Sequence, residues 1–166
     1  TGDYNVAVGA NSLSANTTAD NNTGIGVAAL RDNTTGTSNV AVGRQALQTN
    51  TTANNNTAVG KSALCLNTTG ASNVAVGQEA LSANTTGASN TAVGRVALNS
   101  NTTGANNTAI GLCSQHGTTT GEENTSIGSN SMEENTTGDR NVAVGRRALQ
   151  ENTTAGGNTA VGNSAM

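Results

Sequence analysis

The chain contains no proline, no phenylalanine and no tryptophan, and Tyr4 is its only aromatic residue. Only 33% of its 166 residues are apolar, glycine not counted, and these are mostly Ala, Val and Leu, whereas a compact globular domain has larger side chains, aromatics among them, at its centre. A conventional core is therefore excluded. Charge is scarce as well: charged residues make up 10% of the chain, and seven Lys and Arg against ten Asp and Glu leave a net charge of −3. With no basic stripe to neutralise phosphates and no aromatic platform for bases, nucleic-acid binding is not expected. Apolar runs are a few residues long, far short of the roughly 18 that span a bilayer, and Thr1 does not open a signal peptide, so membrane insertion is not expected either. The chain reads as a piece of a longer protein. Disorder would also suit low hydrophobicity, but disordered chains are usually rich in Pro, Glu and Lys and strongly charged. Solubility here comes from Asn, Thr and Ser.

What the chain has in abundance is repetition. The motif Asn-(Thr/Val)-Ala-(Val/Ile)-Gly begins at positions 5, 22, 39, 56, 73, 90, 107, 124, 141 and 158, a constant step of 17, with Gly24 and Ser126 as the only departures from Ala. Four leading residues, nine full units and one partial unit account for residues 1–166 without insertion, so the chain is a single repeat array. Counted from the first Asn as position 1, the unit reads N-[TV]-A-[VI]-G-x-x-[AS]-L-x-x-N-T-T-[GA]-x-x. Helical repeats are longer, about 33 to 47 residues, and need a 3.6-residue apolar period that is absent here. The alternation in Asn73-Val74-Ala75-Val76-Gly77 predicts a short strand. Asn-Thr-Thr-Gly is turn chemistry, since Asn and Gly tolerate left-handed backbone. A second extended segment is expected around the Ala-Leu pair.

Two strands and two turns in a unit of constant length describe one coil of a parallel β-solenoid, an all-β fold in which each residue stacks on its equivalent one coil away. At about 4.8 Å per coil, about ten coils make a rod of roughly 45 to 50 Å. Position in the unit then predicts position in space. Val or Ile at position 4 and Leu at position 9 (Leu13, Leu30, Leu47, Leu64, Leu81, Leu98 and Leu149, with Met132 and Met166 as variants) are expected as two internal apolar ladders. The Val and Thr of position 2 (Val6, Thr23, Val40, Thr57, Val74, Thr91) share the Val/Ile face and are expected at its margin, and Asn at positions 1 and 12 should form amide ladders at the corners. One Val and one Leu per coil bury little against the cost of ordering the whole coil. Disulfides cannot supply the difference, because Cys65 and Cys113 fall three coils apart, at least about 14 Å along the rod. Self-association remains, and the small Asn-Ala-Gly face is the expected contact. A homo-oligomer follows.

The segments Asn39-Val40-Ala41-Val42-Gly43 and Asn73-Val74-Ala75-Val76-Gly77, each followed by x-x-Ala-Leu, resemble the head repeats of YadA-like trimeric autotransporter adhesins. The Asn-Thr-Thr-Gly-containing unit is also similar to repeat arrays of phage tail-fibre and bacterial surface-fibre proteins. The resemblance covers all ten copies, although the YadA head unit is shorter than the one in this chain. It implies a left-handed parallel β-roll assembled as a parallel homotrimer, a stalk or head on a cell or virion surface, outside the cell. The implied outside partner is a host-cell surface or glycan receptor.

Other sequence features carry less. Gly24-Ile25-Gly26-Val27-Ala28-Ala29 matches a loose dinucleotide fingerprint but lies in repeat register without a βαβ unit, so no cofactor is expected. Asn-Thr-Thr triplets at Asn16, Asn33, Asn50, Asn67, Asn84, Asn101, Asn135 and Asn152 satisfy the glycosylation pattern, and turn chemistry explains them equally well. The seventh unit is irregular: Cys113-Ser114-Gln115-His116-Gly117-Thr118 replaces the usual residues, and Glu122 and Glu123 follow. Cys113 and His116 supply only two zinc ligands, so a relaxed coil is the expectation, with no metal, with His116 beside Glu133 and with Glu123 beside Arg140. A single His without a nucleophile and an orienting acid gives no enzyme. Thr ladders at positions 13 and 14 (Thr17 and Thr18 through Thr153 and Thr154) raise ice binding as the alternative to a fibre. Ice-binding faces present two outward Thr ranks separated by an inward residue, and adjacent Thr point apart.

Overall fold

The computed structural model describes residues 2–166, with Thr1 outside them. Each unit contributes one three-residue strand: β1 (Val6–Val8), β2 (Thr23–Ile25), β3 (Val40–Val42), β4 (Thr57–Val59), β5 (Val74–Val76), β6 (Thr91–Val93), β7 (Thr108–Ile110), β8 (Thr125–Ile127), β9 (Val142–Val144) and β10 (Thr159–Val161). The strands form one parallel sheet in chain order, and every pairing is offset by one unit, as in Val74↔Thr91, Ala75↔Ala92 and Val76↔Val93. The chain is an all-β solenoid, with the coil length and the register that the repeat predicts.

The expected second strand does not form. The segment around Ala-Leu is a turn, because positions 7 and 9 hold left-handed backbone in the central coils: Glu79 has φ 57° and Leu81 φ 54°. Coil-to-coil hydrogen bonding continues through this turn in alternating directions. Glu79 N–H donates to the Lys61 carbonyl of the preceding coil (2.9 Å), and Leu81 N–H donates to the Ala97 carbonyl of the following one (2.9 Å). The bonds gained on both sides offset the strain of left-handed non-glycine residues. Position 5 admits glycine alone. Gly77 has φ 136°, and a Cβ there would collide with the Gly94 carbonyl above it.

The interior also differs from expectation in which strand face it takes. Ala at position 3 is buried and Val or Ile at position 4 faces outward, as in β5, where Ala75 is buried and Val76 is 37% exposed. Position 9 does form the internal ladder, fully buried from Leu30 to Leu98 and at Met132, with Ala of positions 3 and 8 packed around it, whereas Met166, expected in the same ladder, is exposed because no described coil stacks on it. The reversal follows from Asn at position 1, which shares a face with position 3. Asn73 Oδ1 accepts from the Asn90 backbone N–H (2.9 Å), and Asn73 Nδ2 donates to the Gly87 carbonyl across the coil (2.9 Å). The second amide ladder, at position 12, runs beside it: Asn84 Nδ2 donates to Asn67 Oδ1 (2.7 Å) and to the Gly87 carbonyl (2.9 Å). Both ladders are internal, and together they satisfy the carbonyl of position 15 in each regular coil. With two amides, two Ala and one Leu per coil, the interior has no room for the larger strand face.

Candidate interaction surface

The outward strand residues make two parallel ladders on one side of the rod. Position 2 contributes Val and Thr, and position 4 contributes Val or Ile in every strand from β1 to β10. Most of position 4 is exposed, including Ile25, Val59, Val76, Ile110 and Ile127. Val42, Val93 and Val144 are less so, and each is followed two residues later by arginine, Arg44, Arg95 or Arg146. Residues two apart lie on one face, so an Arg stem can lie along its neighbouring Val with the guanidinium in water. A continuous apolar stripe this long is uncommon on an unpartnered surface. The expected contact face was the opposite one. Asn-Ala-Gly faces the interior, where another chain cannot reach it.

Charge is segregated across this stripe. Positions 6 and 7, just past the glycine that follows the strand, hold five cations, Arg44, Lys61, Arg95, Arg146 and Arg147, and one anion, Glu79. Positions 16 and 17, immediately before the next strand, hold five anions, Asp3, Asp20, Glu122, Glu123 and Asp139, and one cation, Arg140. The apolar stripe therefore has a basic edge and an acidic edge. Within the chain the charges make few pairs: Lys61 Nζ to Glu79 Oε1 (4.0 Å) and Arg140 Nε to Glu123 Oε2 (3.2 Å) are neighbouring-coil contacts on the surface, and Arg31 Nε to Asp32 Oδ1 (2.7 Å) joins chain neighbours. The Arg31 hydrogen bond and charge hold the Asp32 carboxyl below the usual carboxylate range.

No protein family, curated protein or solved structure matches this chain.

The remaining sequence candidates take definite places. The Gly24 to Ala29 segment lies in β2 and the turn that follows it. Of the eight glycosylation triplets, Asn33, Asn50, Asn67, Asn84, Asn101 and Asn135 have fully buried side chains in the internal ladder, which leaves Asn16 and Asn152, in the outermost coils, partly accessible. The Arg140–Glu123 pair forms as expected. Among the described residues His116 makes no ion pair with Glu133, whose Oε2 instead accepts from Gln150 Nε2 of the next coil (2.7 Å). Cys65 and Cys113 are both free, and burial pushes both thiols up from the usual range, Cys113 with help from the Glu133 charge. Among the described residues no three His, Cys, Asp or Glu side chains gather as a metal site, and no helix is long and apolar enough to cross a membrane. The Thr ranks separate by role. At position 13 the hydroxyl donates to the next coil, as Thr68 Oγ1 does to the Thr85 carbonyl (3.0 Å), while position 14 is exposed. That leaves one free Thr rank.

Sequence reasoning missed the outward stripe because it assigned the larger strand side chains to the interior. The signal was present in the position 1 amide: a buried Asn ladder must share its face with positions 3 and 5.

Proposed function

We propose that this chain is a structural and adhesive fibre segment, a rod that associates with identical chains as a parallel homotrimer and is carried on the outside of a cell or virion. The observation that carries the reading is the Val and Ile stripe of position 4, flanked by the mixed Val and Thr of position 2, which runs over all ten strands and has no partner among the described residues. Burying it between copies supplies apolar contact that the thin interior lacks. The charged edges favour association about an axis parallel to the rods. In that arrangement the end of each strand meets the beginning of its neighbour's, so basic edge meets acidic edge, whereas two rods running in opposite directions with their strands aligned would oppose like edges. The resemblance to YadA-like heads favours three chains over two. Such a rod gives stiffness from stacked coils and repeated display of a binding surface to a host-cell or glycan receptor.

Light scattering is the test. The expected mass is three times the 16.3 kDa of the chain, and Val76→Asp combined with Ile110→Asp should reduce it to one while the β-sheet circular dichroism persists, since both side chains point away from the interior. A wild-type monomer would overturn the assembly, and a monomer that shows thermal hysteresis and shapes ice crystals would support the exposed Thr rank as the working surface instead.

A further inference from the structure

The seventh coil breaks both the apolar core and an amide ladder. Gln115 takes the position of Leu and Ser114 that of Ala, and the internal apolar cluster ends at Ala109 and resumes as a separate group at Met132. Serines 114, 126 and 131 bond among themselves and to backbone, with Ser114 Oγ 2.7 Å from Ser126 Oγ and Ser126 Oγ donating to the Ser131 carbonyl (2.9 Å). The position 12 ladder is not repaired in this way. Thr118 stands where the other full coils have Asn, and its side chain is one heavy atom shorter than Asn. Asn101 Oδ1, Thr118 Oγ1 and Gln115 Oε1 are the buried side-chain polar atoms among the described residues that have no hydrogen-bond partner within the protein. Two of the three are ladder neighbours.

The deficit has a definite chemical form. In a regular coil the position 12 Nδ2 gives one hydrogen to the preceding ladder oxygen and the other to the position 15 carbonyl, as Asn101 Nδ2 does to Asn84 Oδ1 (2.8 Å) and the Gly104 carbonyl (3.0 Å). In the seventh coil both acceptors remain and the donor is gone: Asn101 Oδ1 receives nothing, and the Gly121 carbonyl keeps only its bond from Asn107 Nδ2 (2.8 Å). In the eighth coil Asn135 Nδ2 donates to the Gly138 carbonyl (3.0 Å) and lacks the ladder oxygen that its second hydrogen would reach.

We propose that the seventh coil binds one structural water molecule in place of the missing amide. Its two hydrogens go to Asn101 Oδ1 and the Gly121 carbonyl, and it accepts from the Thr118 hydroxyl. Buried waters typically make about three hydrogen bonds to otherwise unsatisfied groups, and this site offers three. The coil around it is polar, since Gln115 Nε2 reaches the Thr108 carbonyl (3.1 Å) and leaves Oε1 in the same interior.

A high-resolution crystal structure of the chain should show a fully occupied water within hydrogen-bond distance of Asn101 Oδ1, Thr118 Oγ1 and the Gly121 carbonyl, and water–amide cross-relaxation at Thr118 and Thr119 should report it in solution. In Thr118→Asn the ladder becomes continuous, the water and its cross-peaks disappear, and the melting temperature rises by about 2–4 °C, the shift that one recovered hydrogen bond gives in a chain of this size. A dry site in which Thr118 bonds Asn101 directly would overturn the proposal. So would an anomalous peak at the site after thallium(I) soaking.

Discussion

Leu81→Ala tests the interior most directly. Leu81 is fully buried in the fifth coil, between Leu64 and Leu98, which are equally buried. The substitution removes three carbons, worth about 2.4 kcal/mol in transfer at roughly 0.8 kcal/mol per buried CH2. The cavity adds to this as far as the surroundings fail to close around it. Closure is resisted on both sides, because Leu81 N–H is held to the Ala97 carbonyl (2.9 Å) and Leu64 N–H to the Ala80 carbonyl (3.0 Å), so neighbouring coils cannot sink inward without breaking the ladder. The expected total is about 4 kcal/mol, toward the upper part of the range for Leu→Ala. Urea unfolding followed by circular dichroism reads it, at one fixed chain concentration because association shifts apparent stability. The paired control is Val76→Ala at a concentration where the chain is monomeric, where the outward side chain should matter far less, about 0.5 kcal/mol or below. A Leu81→Ala cost below about 1 kcal/mol, or an equal cost at Val76, would refute the assignment of inward and outward faces.

Two further outcomes follow from local conformation and burial. Val96 is a β-branched residue with φ 51° at position 7, where Asn11 and Asn130 occupy the same left-handed conformation in other coils; Val96→Asn should raise stability by about 1 kcal/mol, read as a higher melting temperature. The Cys65 thiol is half-buried, and desolvation pushes its pKa up, with nearby Arg31 opposing weakly. A raised pKa leaves less thiolate at mildly alkaline pH, so Cys65 in a Cys113→Ser background should react with a disulfide reagent more slowly than a free cysteine peptide, with the rate climbing only as pH rises further. Reaction at the peptide rate would show that the thiol is not shielded.

The repeat period, the parallel register and the Leu ladder were legible because translation along a solenoid makes every coil face an equivalent coil: once Asn73 and Asn90 share a position, their stacking is determined. The Arg140–Glu123 pair was legible for the same reason. Two features were not. The Ala-Leu segment has apolar residues suited to a strand, yet Glu79 and Leu81 turn left-handed because the coil must bend there while keeping hydrogen bonds to both neighbours, a requirement of the closed coil rather than of any local preference. The facing of β5 is hidden in the sequence because, as isolated side chains, Val74 and Val76 outweigh Ala75 for the interior.

By itself, then, the sequence determined a thin array of equivalent coils, too poor in large apolar residues for a globule and free of the proline that would interrupt its ladders. Only the tertiary structure decided which strand face the coil encloses. Asn73 must face inward to reach the Gly87 carbonyl, Ala75 follows it by alternation, and Val74 and Val76 are left outside. The satisfied amide outweighs the buried methyl groups in so narrow a cross-section, because without Asn73 Oδ1 the buried Asn90 backbone N–H would lose its acceptor, at a cost of about 1–3 kcal/mol in every coil, and the apolar residues are displaced outward.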